Sequence, residues 1–127
     1  MKLYTKAQLA KLKKNGSNSE KGKDHFPVVK WFTPFANATW LITEILDEET
    51  AFGLCDLGLG FPELGHIHIP EILELTGPGG LKVERDYHFE GNFPLSVYSE
   101  AARSVRMIVT QTYLLEDAQQ KLKIEDQ

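Results

Sequence analysis

The chain has 127 residues, of which 42% are hydrophobic and 25% are charged, and its formal net charge is −4. This length suits one buried core and is small for two, so we expect a single domain over residues 1–127. No apolar run approaches the roughly 20 residues that cross a bilayer. The one cysteine, Cys55, cannot form an internal disulfide, which excludes a multi-cysteine zinc knuckle. We therefore expect a cytoplasmic protein with no membrane partner.

The charge is distributed unevenly along the chain. Residues 1–30 carry eight lysines and two acids, a balance of +6, which leaves −10 for the remainder. A basic segment on an acidic body can contact nucleic acid or an acidic protein. However, no aromatic or arginine side chain lies among these lysines, as a base-stacking surface requires, and the acidic body opposes phosphate binding. A solvated lysine-rich helix face is therefore the favoured interpretation, and direct nucleic-acid binding is the less favoured one.

The first predicted element is a short helix that begins after Thr5. Thr5 and Gln8 have the spacing of a capping box, and Leu9 and Leu12 form an apolar stripe before Asn15-Gly16 ends the helix. The polar residues 16–24 show no periodicity, so we expect a mobile loop there. Residues 1–23 are thus predicted to be a basic helix followed by this loop.

The next four predicted elements are strands. β-branched and aromatic residues recur at short intervals between turn-forming residues, which is typical of strands. The predicted strands span residues 28–33, 38–46, 51–57 and 64–69. Short loops join them, so we expect an antiparallel meander. Pro70 then opens a brief helix, which the glycine-rich residues 76–80 end.

The last third of the chain predicts one more strand and a longer helix. Residues 81–91 alternate in polarity, which predicts a half-buried strand. An apolar stripe from near Ser96 to Leu115 predicts a long helix, although the β-branched residues within it also suit a strand. We expect an α+β fold in which an N-terminal, a short middle and a longer C-terminal helix pack on one side of an antiparallel sheet of about five strands. The C-terminal helix is also a candidate contact for a homo-oligomer.

The glycine-rich residues 53–70 invite comparison with a phosphate-binding loop. Gly60 and Gly65 have the right spacing, but His66 stands where the lysine of such a loop belongs, and Ile67 where the hydroxyl residue belongs. Glu63 within the loop would also repel phosphate. The dinucleotide-binding fingerprint fails because its third glycine is missing. We therefore expect these glycines to shape a connection between strands.

Histidines and acids in the same region suggest a metal site. His66 and His68 are two residues apart on a predicted strand and so share one face. If that strand approaches the one with Asp86 and His88, three imidazoles and a carboxylate come together, a set well suited to zinc. The zinc would be structural with four protein ligands, or hydrolytic if a water remained bound. The alternative is that all four side chains line a solvated polar face.

Catalysis has less support in the sequence. Cys55 lies between Leu54 and Leu57 and is better explained as a small core residue than as a nucleophile. No cysteine-protease signature surrounds it. Glu63 and Asp86 could form an acid and base pair, but any acidic protein offers such pairs by chance. We therefore expect a protein that is not an enzyme.

Several runs of the sequence resemble the domain of unknown function family 2958. They include "FGLCDLGLGFPELG", "LKVERDYHF" and "PLSVYSEAAR", and the resemblance covers roughly residues 2–103. It implies a small cytoplasmic protein carried by plasmids, integrative elements or phages, with no established activity. In this family the positions of His66 and His68 commonly hold residues that do not bind metals, so a metal site would be particular to this chain. Residues 104–127 are expected to be a C-terminal extension.

Carriage on mobile elements favours proteins that bind and block host defence machinery, an argument from context rather than chemistry. We therefore expect an inhibitor of a host defence nuclease, of the anti-CRISPR or anti-restriction type, whose acidic surface competes for a basic surface that normally holds nucleic acid. Another nucleic-acid-handling protein is also a possible partner. The alternatives are a zinc-binding metalloprotein and a nucleic-acid-binding accessory protein. The candidate contact residues are acids expected to be exposed: Asp47, Glu48, Glu49, Glu84 and Glu90.

Overall fold

The computed structural model describes residues 3–126, which form a five-stranded antiparallel sheet and four α-helices. In chain order the elements are α1 (Lys6–Asn15), β1 (Val29–Phe32), β2 (Thr39–Ile45), β3 (Thr50–Asp56), β4 (Glu63–His68), α2 (Ile69–Glu74), β5 (Glu84–Arg85), α3 (Leu95–Val105) and α4 (Thr112–Glu125). The strand order across the sheet is β4, β3, β2, β1, β5. The predicted α+β class is confirmed. In this part of the chain no helix has the length and apolar character needed to cross a membrane.

Helix α1 begins and ends as its sequence predicts. The Gln8 N–H donates to Thr5 Oγ1 at 3.1 Å and the Thr5 N–H donates to Gln8 Oε1 at 2.8 Å, which completes the capping box. At the other end, Asn15 Nδ2 donates to the Thr43 carbonyl of β2 at 2.9 Å. A Cβ on Gly16 would lie 2.1 Å from a carbonyl oxygen of the same strand. The helix therefore ends in direct contact with the middle of the sheet.

Helices cover both faces of the sheet, which corrects the prediction of one-sided packing. Leu41 and Ile42 are consecutive and fully buried, so β2 is apolar on both faces and each face needs a cover. The core beneath α1 and α2 includes Leu12, Trp31, Trp40, Ile42, Ile67 and Ile72. The core beneath α3 and α4 includes Leu41, Leu54, Tyr98, Ala102 and Leu115.

The prediction of one long C-terminal helix is wrong, because the chain forms two helices. Helix α3 ends at Arg106, whose φ of 68° is left-handed, and α4 then packs back against α3. The break lies in the β-branched segment, where Ile108 and Val109 take non-helical conformations and are buried. The apolar side of α4 thus contacts α3 of its own chain through Leu115 and Ala118.

The fifth strand is also shorter than its alternating pattern predicts. Only Glu84 and Arg85 pair with β1. The Asp86 N–H still donates to the Lys30 carbonyl at 2.9 Å, but the Asp86 carboxylate then accepts the His88 N–H at 2.9 Å and closes a turn. This local hydrogen bond competes with strand pairing, so the predicted strand ends at Arg85.

An ionic cluster around one buried carboxylate joins the two C-terminal helices. The Glu100 carboxylate of α3 is buried, forms an ion pair with Arg103 of the same helix, and lies 3.2 Å from Lys121 Nζ of α4. Burial by itself raises the pKa of the Glu100 carboxyl. The bond to Lys121 and the charge of Arg103 together outweigh burial and hold this pKa below its ordinary value of 4.5.

We predict that Glu100→Gln lowers the free energy of unfolding near neutral pH by about 1–3 kcal/mol, since a charge-assisted contact between the helices is lost. A carboxyl whose folded-state pKa is depressed stabilises the fold fully above its unfolded value and loses this effect as pH falls through the folded value. The difference between wild type and variant should therefore shrink below about pH 4.5. Denaturant titrations at several pH values measure it, with the exposed Glu125→Gln as control. A difference that does not change with pH would contradict this assignment.

Candidate protein-interaction surface

The structure separates the four residues predicted to bind zinc. His66 and His68 lie on β4, whereas Asp86 and His88 follow β5, and these two strands are the opposite edges of the sheet. Four strand spacings amount to about 19 Å, so one ion cannot bind both pairs. Among residues 3–126, no three His, Cys, Asp or Glu side chains are grouped so that they could hold a metal. The predicted zinc cluster is therefore wrong, because it required two strands to be neighbours that the sheet places furthest apart.

Each of these side chains has contacts of its own. His66 packs edge-on against the Phe52 ring, with centroids 5.4 Å apart. His68 Nε2 lies 3.5 Å from Glu49 Oε2, and its Nδ1 lies 3.8 Å from Glu71 Oε1. Between the two histidines, Ile67 is buried, which confirms the predicted alternation along β4. The histidines thus belong to an exposed polar face, as the alternative interpretation held.

The glycine-rich stretch forms a loop, residues 57–62, that connects β3 to β4. Gly58 and Gly60 have φ values of 80° and 87°, a conformation that favours glycine. The buried Asp56 carboxylate fixes the base of this loop: it accepts the Gly58 N–H at 2.8 Å and, through its other oxygen, the Ile108 N–H at 2.9 Å. Asp56 is thus occupied in tying the loop to the segment between α3 and α4. The predicted role of the glycines, shaping a strand connection, is confirmed.

The loop presents large apolar side chains to solvent. Leu59 and Phe61 are each 73% exposed, and Leu57 before them is 58% exposed. Leu64 on β4 and Leu75, which follows α2 and lies along the same edge, are exposed as well. A group of exposed apolar side chains within one short region is typical of a protein-binding surface. The sequence signal for these residues was present in "LGLGF", where glycines place apolar side chains in a turn that cannot bury them.

Strand β4 also has an unpaired edge. Its only neighbour in the sheet is β3, and no further hydrogen bond is made by its main chain within residues 3–126. The outward N–H and C=O groups of such a strand can pair with another extended chain. The apolar loop therefore lies beside main-chain groups that are available for hydrogen bonding.

Acidic side chains lie at both ends of this strand, whereas Lys21 lines a small hollow with His66. Residues 31–81 contain eight acids and neither lysine nor arginine. Three of the predicted contact residues, Asp47, Glu48 and Glu49, are exposed in the turn between β2 and β3. The backbone N–H of Glu49 donates to the Asp47 carboxylate and lowers its pKa. The other two predicted contacts, Glu84 and Glu90, lie on and after β5 and so belong to the opposite side of the sheet.

We use the name acidic edge for β4, the loop of residues 57–62 and the exposed acids beside them. The His68 contacts place Glu49 and Glu71 next to the end of β4, and Glu63 is the first residue of that strand. The acidic edge thus combines an apolar loop at one end of β4, free main-chain groups along the strand, and acids at both ends. Its acids are Asp47, Glu48, Glu49, Glu63 and Glu71.

A groove of about 450 Å³ runs along β4 on the side of α2. Trp40, Cys55, Leu57, Ile72 and Leu75 contribute to its lining, as do Glu63 and Glu71 from the acidic edge. Gly65 contributes no side chain, and a Cβ there would have no atom within 4 Å. Burial raises the pKa of the Cys55 thiol, which keeps it protonated at neutral pH. The groove is therefore mainly apolar, with two carboxylates at its rim.

A larger hollow lies elsewhere and has a different charge. It has a volume of about 700 Å³ and lies between the start of α1, helix α2 and the end of β5. Its charged side chains are Lys6 and Arg85, and the Arg85 guanidinium lies 4.8 Å from the centre of the Tyr87 ring. Because its charge is positive, this hollow is distinct from the acidic edge.

Comparison with known proteins identifies a family and no characterised relative. Residues 3–109 match the family described as "Protein of unknown function (DUF2958)". No curated protein and no solved structure matches the chain. The match ends just before α4, and it includes the whole acidic edge.

We predict that Asp56→Asn lowers the free energy of unfolding by about 1–3 kcal/mol. The carboxylate accepts two N–H groups, and in the variant one of these N–H groups would instead face the NH₂ group of the amide, which cannot accept it. Hydrogen exchange of the Gly58 and Ile108 amides should accelerate more than that of amides in β2. Chemical denaturation and amide exchange measure both effects, with the exposed Asp117→Asn as the matched control. Unchanged protection of the two amides would show that Asp56 does not hold the loop.

Proposed function

The chain belongs to the DUF2958 family, whose function is unknown, and from this premise we propose that it is a non-catalytic binding protein that docks through its acidic edge on a basic surface of another protein. The observation that carries this proposal is that exposed apolar side chains and acids lie along one edge of the sheet. Leu59 and Phe61 are largely exposed, and Glu63 is separated from Phe61 by Pro62 alone. Protein interfaces typically combine apolar side chains with a polar surrounding surface.

The charge of the acidic edge indicates the chemistry of the partner. Fifty-one consecutive residues without lysine or arginine, residues 31–81, supply β2, β3, β4 and α2. Their negative field accelerates association with surfaces rich in lysine and arginine, and salt weakens this effect. Proteins that hold nucleic acid have such surfaces because phosphate binding depends on clustered positive charge. A nucleic-acid-handling protein therefore fits best.

Within that class we propose a host defence nuclease as the partner, so that the protein acts as an anti-restriction or anti-CRISPR inhibitor. The support for this narrower step is the mobile-element setting that the family resemblance implies, together with the charge. An acidic inhibitor would occupy the surface that the nuclease uses for its nucleic acid. The setting is context rather than chemistry.

The proposal predicts that the protein inhibits DNA cleavage by at least one member of a panel of purified restriction and CRISPR nucleases. The triple variant Glu48→Lys, Glu63→Lys and Glu71→Lys should weaken inhibition at least tenfold, since it reverses the charge of the acidic edge. All three side chains are exposed, so we expect the fold to persist. Cleavage assays at 50 and 300 mM salt measure the effect, and the wild-type inhibition should be weaker at the higher concentration.

The matched control reverses three exposed acids elsewhere: Glu90→Lys, Glu116→Lys and Glu125→Lys. This control should inhibit as the wild type does. A gel shift with the same DNA distinguishes inhibition through the nuclease from direct DNA binding by the lysines of α1. Absence of inhibition across the panel, or equal loss in both triple variants, would contradict the proposal.

A further inference from the structure

We propose that the acidic edge binds an extended segment of its partner as a sixth strand, paired with β4, with one apolar side chain in the groove above Gly65 and lysine or arginine side chains beside it. This inference rests on the proposed function, because that function supplies a basic partner. Beyond that function, the inference specifies how the partner docks and which side chains the bound segment has.

The main chain of β4 supports strand addition. The strand has six residues, Glu63–His68, and pairs along its whole length with β3. In antiparallel pairing, alternate residues direct their N–H and C=O groups to one neighbour and the others direct them away. The groups directed away from β3 have no main-chain partner within residues 3–126. An extended peptide that adds to a free sheet edge forms its hydrogen bonds with such groups.

The groove supplies a position for one side chain. In a sheet, residues opposite each other on adjacent strands direct their side chains to the same face. A residue opposite Gly65 would therefore direct its side chain toward the α2 face, where the groove lies between β4 and α2. Glycine leaves this space open, and glycine within a strand often marks the close approach of another chain.

Gly65 and its cross-strand neighbour Gly53 differ in the space available to a side chain. Gly53 pairs directly with Gly65, but a Cβ on Gly53 would lie 1.9 Å from the Leu41 carbonyl oxygen. Close packing within the sheet therefore requires glycine at position 53. No such contact requires it at position 65, where the open space belongs to the groove.

The charge around the groove specifies the neighbouring side chains of the bound segment. Glu63 lies two residues before Gly65 and so shares its face of the sheet, and Glu71 is at the groove rim. A segment with an aliphatic residue opposite Gly65 and a lysine or arginine two positions away would place the cation beside these carboxylates. Such cross-strand pairs of opposite charge are favourable.

The same charges argue against a second copy of this chain as the occupant. If two β4 strands paired with each other, the acidic edges of both copies would face each other, with Glu63 and Glu71 in each. Like charges across a strand pair are destabilising, and acids on an exposed edge oppose self-association. The occupant is therefore a basic extended segment of a different protein.

The test uses a capped seven-residue peptide, Thr-Lys-Thr-Ile-Thr-Lys-Thr, in which both lysines share one face with the isoleucine. We expect ¹H–¹⁵N NMR titration to shift the amides of β4 and of Ile72 and Leu75 most strongly. N-methylation of alternate peptide amides should weaken binding at least tenfold, because strand pairing is then blocked. Replacing both lysines by glutamate should have a similar effect.

Gly65→Val tests the groove itself. The new side chain occupies open space and valine favours strands, so the free energy of unfolding should not decrease, yet the Kd of the peptide should rise at least tenfold. Glu116→Lys on α4 is the control for charge and should leave the Kd unchanged. Tight binding by Gly65→Val would overturn the assignment of the groove.

The outcomes separate this inference from the proposed function. Shifts confined to residues 46–49 and α2, with no effect of N-methylation, would overturn strand addition while an acidic docking surface remained. If Gly65→Val inhibited the nuclease as strongly as the wild type does, strand addition would also be overturned while an acidic docking surface remained. Absence of nuclease inhibition together with peptide binding at β4 would overturn the proposed partner but not the docking mode. The inference would be overturned if light scattering showed a dimer through β4 that Gly65→Val abolishes. It would also be overturned if millimolar peptide caused no amide shift.

Discussion

The whole arrangement depends on one constraint, which is that the central strands are apolar on both faces. Leu41 and Ile42 are adjacent and fully buried, so solvent must be excluded from both sides of β2. The chain meets this requirement with α1 and α2 on one face and α3 and α4 on the other. Helices α1 and α3 contact the central strands directly, whereas α2 packs beside β4 and α4 packs against α3. Among the described residues 3–126, no element covers the outer side of β4, and the exposed apolar loop and the acids lie at this margin.

Local patterns in the sequence were sufficient for features decided by neighbouring residues. The capping box of α1, the alternation around Ile67 and the turn role of Gly58 and Gly60 all depend on contacts within a few positions. The prediction of one long C-terminal helix failed because the apolar stripe continues through β-branched residues that pack into the core in a non-helical conformation. An apolar period alone does not show where a helix must break and turn back.

The candidate site could be predicted only in part because it depends on which strands are neighbours. The same face of β4 carries His66 and His68 as predicted, but the sheet order places Asp86 and His88 at the other margin. Strand order results from contacts distant in sequence, which no local pattern specifies. The acids of the β2–β3 turn could be proposed as contact residues from the charge pattern alone. The role of Gly65 could not be predicted, since the open space above it exists only after α2 packs alongside β4.

The most direct measurement of the central claim, that β4 is a free edge in the isolated protein, is residue-resolved amide hydrogen exchange of the monomer. A strand paired on one side only has alternating protection, because every second amide is directed to solvent. We expect slow and fast exchange to alternate along Glu63–His68, while the amides of Thr39–Ile42 in β2, which are paired on both sides, exchange slowly throughout. Uniform slow exchange of all amides in β4 would contradict this account, because it would mean that the edge is already covered.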